Sequence, residues 1–331
     1  MLSLVSPYNF ILIYIVLPNL FFAKIFFLDF ISLKKHSILT DRKMNMNKAL
    51  KVAAIHDLSG FGRCSLTVIL PILSTMGVQV VPVPTAVLSS HTGGLGEVCV
   101  RDLTDYISPC LEHYKKLGLE FDCIYSGYLN SQEQVDHCLE FFGAYPNAFK
   151  VVDPVMGDHG KAYKSCDGKL RTRMKELVSV ADLITPNITE AYFLLGENYD
   201  ERPVTSLMAK SMLSRLSEMG PKYVVITGVQ MASGYVANLG YDRENNRFWQ
   251  IKCSYVPVSY PGTGDLSASV IVGGMLTGDS LPIAVARATD FAELAIKTTF
   301  SYNSDPRYGV MLENCLHWLV SAQSFKDHEL L

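Results

Sequence analysis

From Ala49 onward, short apolar runs rich in β-branched residues alternate with longer stretches whose apolar positions recur every three or four residues. The short runs predict strands at 50–55, 78–83, 121–125, 149–152, 183–184 and 223–226. The longer stretches predict helices at 64–76, 98–117, 131–144, 170–180, 188–195 and 205–219. Strands that are apolar throughout, alternating with helices, imply a parallel sheet covered on both faces. Two further runs, 234–239 and 248–256, flank the turn-rich 241–246 and predict a hairpin. Beyond Asp265 three more helices are expected, at 266–276, 281–300 and 310–320. There is no internal repeat or linker. The pattern therefore predicts one α/β domain over 48–322: a central, mostly parallel β-sheet flanked by helices on both faces, with a small β-hairpin element and a C-terminal tail at 323–331.

The first 47 residues stand apart. Residues 2–23 contain no charge and are about long enough to span a bilayer, but Pro7, Asn9, Pro18 and Asn19 interrupt them. No basic segment precedes the apolar run, so a secretory signal is poorly formed. Residues 1–47 carry five basic and two acidic residues, and Met44 and Met46 lie just ahead of the first predicted strand. Three readings stay open: an upstream extension that is not normally translated, a membrane anchor, and a targeting or disordered segment.

Composition narrows the function classes. Hydrophobic residues make up 49% of the 331 and charged ones 18%, which excludes a disordered chain. The net charge is −3 without a long basic block, so nucleic acid is not an expected partner. Eight scattered cysteines with no CxxC pair fit neither a metal cluster nor a disulfide framework, and read as free thiols of a reducing, cytoplasmic compartment. Only an inserted 1–47 would bring in a membrane.

The sharpest local signal is Pro261-Gly262-Thr263-Gly264-Asp265, directly ahead of an apolar helix. Two glycines before a helix leave several main-chain N–H groups pointing outward, which makes an anion site. Asp265 is either an ordinary N-cap or a carboxylate placed to take a proton from a hydroxyl that attacks a phosphate. The loop is not a Walker A sequence. Asp153-Pro154-Val155-Met156-Gly157-Asp158 follows an apolar strand, where open α/β sheets bind ligands. Its two carboxylates suit a magnesium ion or its waters, although Asp-Pro and Gly-Asp are also ordinary turn formers. Thr185-Pro186-Asn187-Ile188-Thr189-Glu190 follows another short strand and reads as a helix cap with its capping-box partner. Asn187 and Glu190 would then join Asp153 and Asp265 on one rim, and acidic groups converging there are costly unless a cation neutralises them. Three polar, glycine-containing loops are expected after the first three strands: His56–Gly62, Ser89–Gly94 and Ser126-Gly127-Tyr128.

In combination these motifs resemble the vitamin kinases of the ribokinase-like superfamily, most closely the pyridoxal (pyridoxamine) kinases. The resemblance covers about 49–320 and keeps the family's motif order. It implies a ribokinase-like fold, a homodimer, and ATP-dependent phosphorylation of a hydroxymethyl group with Mg2+, a monovalent cation such as K+ being a further expectation. Carried over by residue, Asp265 is the expected base, and the amides of Gly262 to Gly264 are the anion hole. Asn187, Thr227, Thr263 and Gly264 face the nucleotide, and Asp153, Asp158 and Glu190 serve the metal. Asp57, Thr92 and Tyr128 line the substrate pocket, and Tyr163 belongs to a loop over the phosphates. Many pyridoxal kinases have serine where this chain has Asp57, and its Asp-x-Ser-Gly pattern leans toward the hydroxymethylpyrimidine kinases. Conversely, Ser-His-Thr-Gly at 90–93 and Gly-Thr-Gly-Asp at 262–265 favour the pyridoxal side, since the pyrimidine kinases usually carry cysteine at the place of Asp265. Gly228 stands where a hydroxyl residue is common. The alternatives are a hydroxymethylpyrimidine or other small-alcohol kinase, and a non-catalytic binding protein with a kinase fold. Retention of Asp265, Glu190 and the glycine turn argues against the last.

Overall fold

The computed structural model of the chain describes residues 49–321, except 255 and 257, and residues 326–331. Every reading of 1–47 lies outside those residues. Leu50–Leu331 forms one compact unit around a ten-stranded sheet. Its strands are β1 Leu50–Phe61, β2 Val78–Ser90, β3 Val100–Asp102, β4 Cys123–Ser126 and β5 Phe149–Val152, then β8 Leu183–Ile184, β9 Tyr223–Gln230, β10 Val236–Asp242, β11 Arg247–Cys253 and β12 Glu329–Leu330. They lie in the order β12-β11-β10-β9-β8-β5-β4-β1-β2-β3. A separate two-stranded hairpin joins β6 Gly157–Asp158 to β7 Lys161–Ala162. Six consecutive strands, from β9 through β8, β5, β4 and β1 to β2, run parallel; β3 and β10–β12 are antiparallel edges.

Successive β1 residues serve opposite faces, as the pleat requires. Ala53 and Ile55 pack with α2 Thr104–Lys116, α3 Gln132–Ala144, α4 Gly168–Ser179, α5 Ile188–Leu195 and α6 Ser206–Glu218. Val52 and Ala54 pack with α1 Leu66–Thr75, α7 Thr263–Thr277 and α8 Leu281–Ser301. Helix starts are set locally: Ser131, Asp167 and Thr205 accept the main-chain N–H of Gln134, Leu170 and Met208.

Four expectations need correction. The helix expected over 98–117 is split, because exposed Val100–Asp102 pairs with Ala86–Leu88 as an edge strand before α2 starts. The helix expected at 310–320 is instead two short 3-10 turns, Leu312–Asn314 and Leu316–Val320, with Leu312, Leu319 and the intervening Cys315 buried. The hairpin at 234–256 extends the main sheet, and Glu329–Leu330 of the tail pairs with Trp249 and Gln250. Finally, β1 and β2 do not end where their polar residues begin. They stay paired to Phe61 and Ser90, so much of the first two expected loops is strand.

β1 lies between β2 and β4, and the chain visits them on opposite sides of it. Such a switch in strand order opens a crevice at the carboxyl ends of the strands.

Candidate active site

The residues at those strand ends converge. Asp57, still within β1, is buried, and its two oxygens accept the hydroxyls of Ser59 at 2.8 Å and Ser65 at 2.5 Å. Burial raises its carboxyl; the two hydroxyl donors oppose the shift. Tyr128, after β4, is half-buried, and its phenol is raised by burial first and also by the Asp57 charge. Thr92 lies two residues beyond β2 in an exposed turn, where its carbonyl accepts the Gly94 N–H; no bond joins its side chain to Asp57 or Tyr128. His91 fixes that turn, its ring reaching the Arg307 carbonyl at 2.6 Å and accepting the Gly93 N–H at 3.0 Å.

The glycine turn is built as its sequence demands. Gly262 caps α7 with φ at +79°, and a Cβ there would fall 2.0 Å from the Arg63 carbonyl oxygen, so only glycine fits. A Cβ on Gly264 would meet nothing within 4 Å, which leaves open space over the first N–H groups of α7. Asp265 is therefore not the N-cap; it is the third residue of the helix. Its Oδ2 accepts the Ser65 N–H at 2.8 Å. Burial pushes its carboxyl up to about 7; the nearby Asp57 adds to this and the Ser65 N–H and Cys64 thiol oppose it.

Beside this group, Asp153 leaves β5 with its N–H on the Ser126 carbonyl at 2.8 Å. Its carboxyl is held well above the usual range, by burial first and then by the charges of Glu190 and Asp265. Asn187 and Glu190 form the capping box of α5: Asn187 Oδ1 accepts the Glu190 N–H at 2.9 Å, and Glu190 Oε2 accepts the Asn187 N–H at 2.8 Å. Glu190 Oε1 accepts the Met156 N–H at 3.1 Å, and Asn187 Nδ2 donates to the Gly157 carbonyl at 2.9 Å, tying the 153–158 turn to α5. Burial pushes Glu190 up to about 8. Asp158 is more exposed, yet its charge also raises Glu190. Thr227, in β9, donates its N–H to the Pro186 carbonyl at 3.0 Å and bridges Asn187. Tyr163, whose N–H reaches the Met156 carbonyl at 2.9 Å, has its phenol raised by lost solvation and by the charges of Glu190, Asp158, Cys64 and Asp153.

Among the described residues no three acidic, His or Cys groups stand close enough to chelate an ion directly. Main-chain N–H groups already occupy both Glu190 oxygens. The arrangement fits magnesium, which keeps most of its water shell and meets few protein carboxylates.

Two residues of this neighbourhood, Ser65 and Tyr125, carry no sequence signal of their own, and His56 is signalled only as the start of a polar loop. Ser65 touches both Asp57 and Asp265. Tyr125 is fully buried, its phenol raised by burial and by Asp153 and Asp265. His56 is also fully buried, edge-on to Tyr125 at 4.4 Å, and burial lowers it to about 3, so it stays neutral. Gly127 gives it room, since a Cβ would lie 2.0 Å from the His56 ring.

A model of the phosphomethylpyrimidine kinase family matches residues 70–308. A Bacteroides thetaiotaomicron protein, provisionally described as a phosphomethylpyrimidine kinase and crystallised with pyridoxal, superposes with a TM-score of 0.82; it is 43% identical, over 86% of this chain and 100% of that one. Pyridoxal kinase from Lactobacillus plantarum gives a TM-score of 0.76 at 32% identity, over 82% of this chain and 97% of that one. A pyridoxal kinase of Granulibacter bethesdensis is 29% identical over 63% of this chain and 76% of its own length. The chain belongs to the phosphomethylpyrimidine kinase family, and it shares the ribokinase-like fold of the pyridoxal kinases.

Proposed function

We propose that the chain is an ATP-dependent kinase that phosphorylates the 5′-hydroxymethyl group of pyridoxal, pyridoxamine or pyridoxine. The observation that carries this reading is Asp265. It is a carboxyl pushed up to about 7 by burial, in the first helical turn behind the open space over Gly264. A base with that titration point is matched to neutral pH.

Asp265 takes the alcohol proton as the oxygen attacks the terminal phosphorus; the new O–P bond forms while the bond to the departing ADP oxygen breaks. The main-chain N–H groups at Gly262 to Gly264 face the charge that builds on the transferred group, with the helix dipole behind them. Asn187, Thr227, Thr263 and Gly264 face the nucleotide. Asp153, Asp158 and Glu190 would hold Mg2+, which would neutralise phosphate charge. Asp57, Thr92 and Tyr128 line the alcohol pocket. A homodimer, a monovalent cation such as K+, and a cytoplasmic setting belong to the same proposal. All eight cysteines are free, and no helix of the described residues is long and apolar enough to cross a membrane.

The pyridoxal-bound relative, 43% identical, favours the B6 acceptor. The family model and the Asp57-x-Ser59-Gly60 pattern support a second acceptor, hydroxymethylpyrimidine. Steady-state phosphorylation of pyridoxal, pyridoxine, pyridoxamine and hydroxymethylpyrimidine by the purified protein separates them. The proposal predicts the highest kcat/KM for a B6 compound. A pyrimidine preference would reject the acceptor, and absence of transfer to every alcohol would reject the enzyme.

A further inference from the structure

Ser65 precedes α1 and is the residue that should cap it. A serine at this place ordinarily turns its hydroxyl onto the N–H of its own helix. This one does not: it makes no side-chain cap bond, although its carbonyl accepts the N–H groups of Val68 and Ile69 at 2.9 and 3.0 Å. Its backbone stands at φ +53° and ψ −131°, a strained conformation for a residue with a Cβ, and the residue is buried. The strain aims both of its donors away from the helix. The hydroxyl reaches Asp57 Oδ1 at 2.5 Å and the main-chain N–H reaches Asp265 Oδ2 at 2.8 Å. The turn that carries it is wedged against the glycine turn of α7: a Cβ on Gly262 would lie 2.0 Å from the Arg63 carbonyl oxygen and 3.3 Å from the Cys64 Cα. Ser65 and Asp265 are 200 positions apart in the chain, and Arg63 and Cys64 share the contact between the two turns.

We propose that Ser65 is a positioning residue for the phosphoryl transfer, holding Asp265 and Asp57 in fixed relation through its N–H and its hydroxyl so that the base keeps one orientation toward the alcohol. The assignment rests on Asp265 being the base. Strain at a non-glycine residue survives only where surrounding contacts over-determine it, and here both contacts are carboxylates of the site.

The test is Ser65→Ala, which removes only the hydroxyl, beside Ser65→Gly, which also relieves the strained φ and guards against a folding defect. Asp265→Asn is the separate control. The readouts are kcat and KM for ATP and pyridoxal, the thermal midpoint, and kcat/KM between pH 5 and 9. The groups facing Asp57 are Cys64, His91 and Tyr128; those facing Asp265 are Cys64, Tyr125 and Asp153. Without the Ser65 hydroxyl, Asp57 keeps its proton to higher pH and opposes ionisation of Asp265 less, so the acid limb moves to lower pH. Both serine variants should lose kcat on the order of tenfold, the scale of a slightly misplaced catalytic group, with KM for ATP within about twofold. A purely structural role would lower the thermal midpoint and leave the acid limb in place. Wild-type kcat with an unmoved limb in both variants overturns the assignment while an inactive Asp265→Asn keeps the base. Near-normal turnover in Asp265→Asn retires the base itself.

Discussion

Asp265 and Glu190 are both the third residue of a helix at the same rim of one sheet, and the structure treats them in opposite ways. Glu190 folds back on its own cap: Asn187 supplies a side chain, and the N–H groups of Asn187 and Met156 take both carboxylate oxygens. Asp265 has a cap without a side chain, Gly262, and receives one main-chain N–H from a distant turn. Through those bonds the first carboxylate holds the 153–158 turn on α5. Burial raises both carboxyls, Glu190 to about 8 and Asp265 to about 7, so the two differ in the bonds they receive and not in whether they can hold a proton. Identical helix positions thus receive different bonds according to whether the cap residue can bond to them, and in the proposed mechanism the first serves as scaffold and the second as base.

The largest expected effect breaks the Asp265 half of this pair. Asp265→Asn should cut kcat by about 10³-fold, as loss of a general base does, while nucleotide affinity by calorimetry stays within about twofold. Gly262→Ala comes next. At φ +79° and 2.0 Å from the Arg63 carbonyl, a methyl group must displace the 63–65 turn. Unfolding should show a loss of about 1–3 kcal/mol, with activity falling alongside. Glu190→Gln sharpens the other half. An amide can accept only one of the two N–H groups, so one buried donor loses its partner at about 1–3 kcal/mol, and the magnesium concentration needed for half-maximal rate should rise. Unchanged stability and magnesium dependence would remove the scaffold role.

The smallest effect is on stability against pH. Asp265 titrates at about 7 in the folded chain against 3.8 for an ordinary aspartate carboxyl, so the folded state holds more protons between those values. Its contribution is fully present below about pH 4 and is lost as pH rises through 7. Asp265→Asn should therefore flatten the fall in thermal midpoint between pH 5 and 8, measured by calorimetry without nucleotide. An unaltered slope would place the raised carboxyl elsewhere.

Apolar runs are enough to find the six parallel strands, because a strand buried on both faces leaves an unbroken signature. The extensions of β1 to Phe61 and of β2 to Ser90 are hidden from that pattern, since Asp57 and Ser59 are polar yet buried, each satisfied by a partner that periodicity cannot see. In the site, Asn187 and Glu190 are legible as a local i,i+3 pair, and Asp265 through its glycines. Ser65 is not: its partners are 8 and 200 positions away, and it looks like any serine opening a helix. His56 reads as part of a loop, while its burial against Tyr125 depends on Gly127 in a neighbouring strand-end turn.

The central claim is that Asp265 is the base, and the pH dependence of kcat/KM for pyridoxal, at saturating ATP and magnesium, tests it most directly. The account predicts a rate that falls tenfold per unit below about pH 7, with no such limb in the residual activity of Asp265→Asn. A rate flat down to pH 5, or the same limb persisting in that variant, would contradict it.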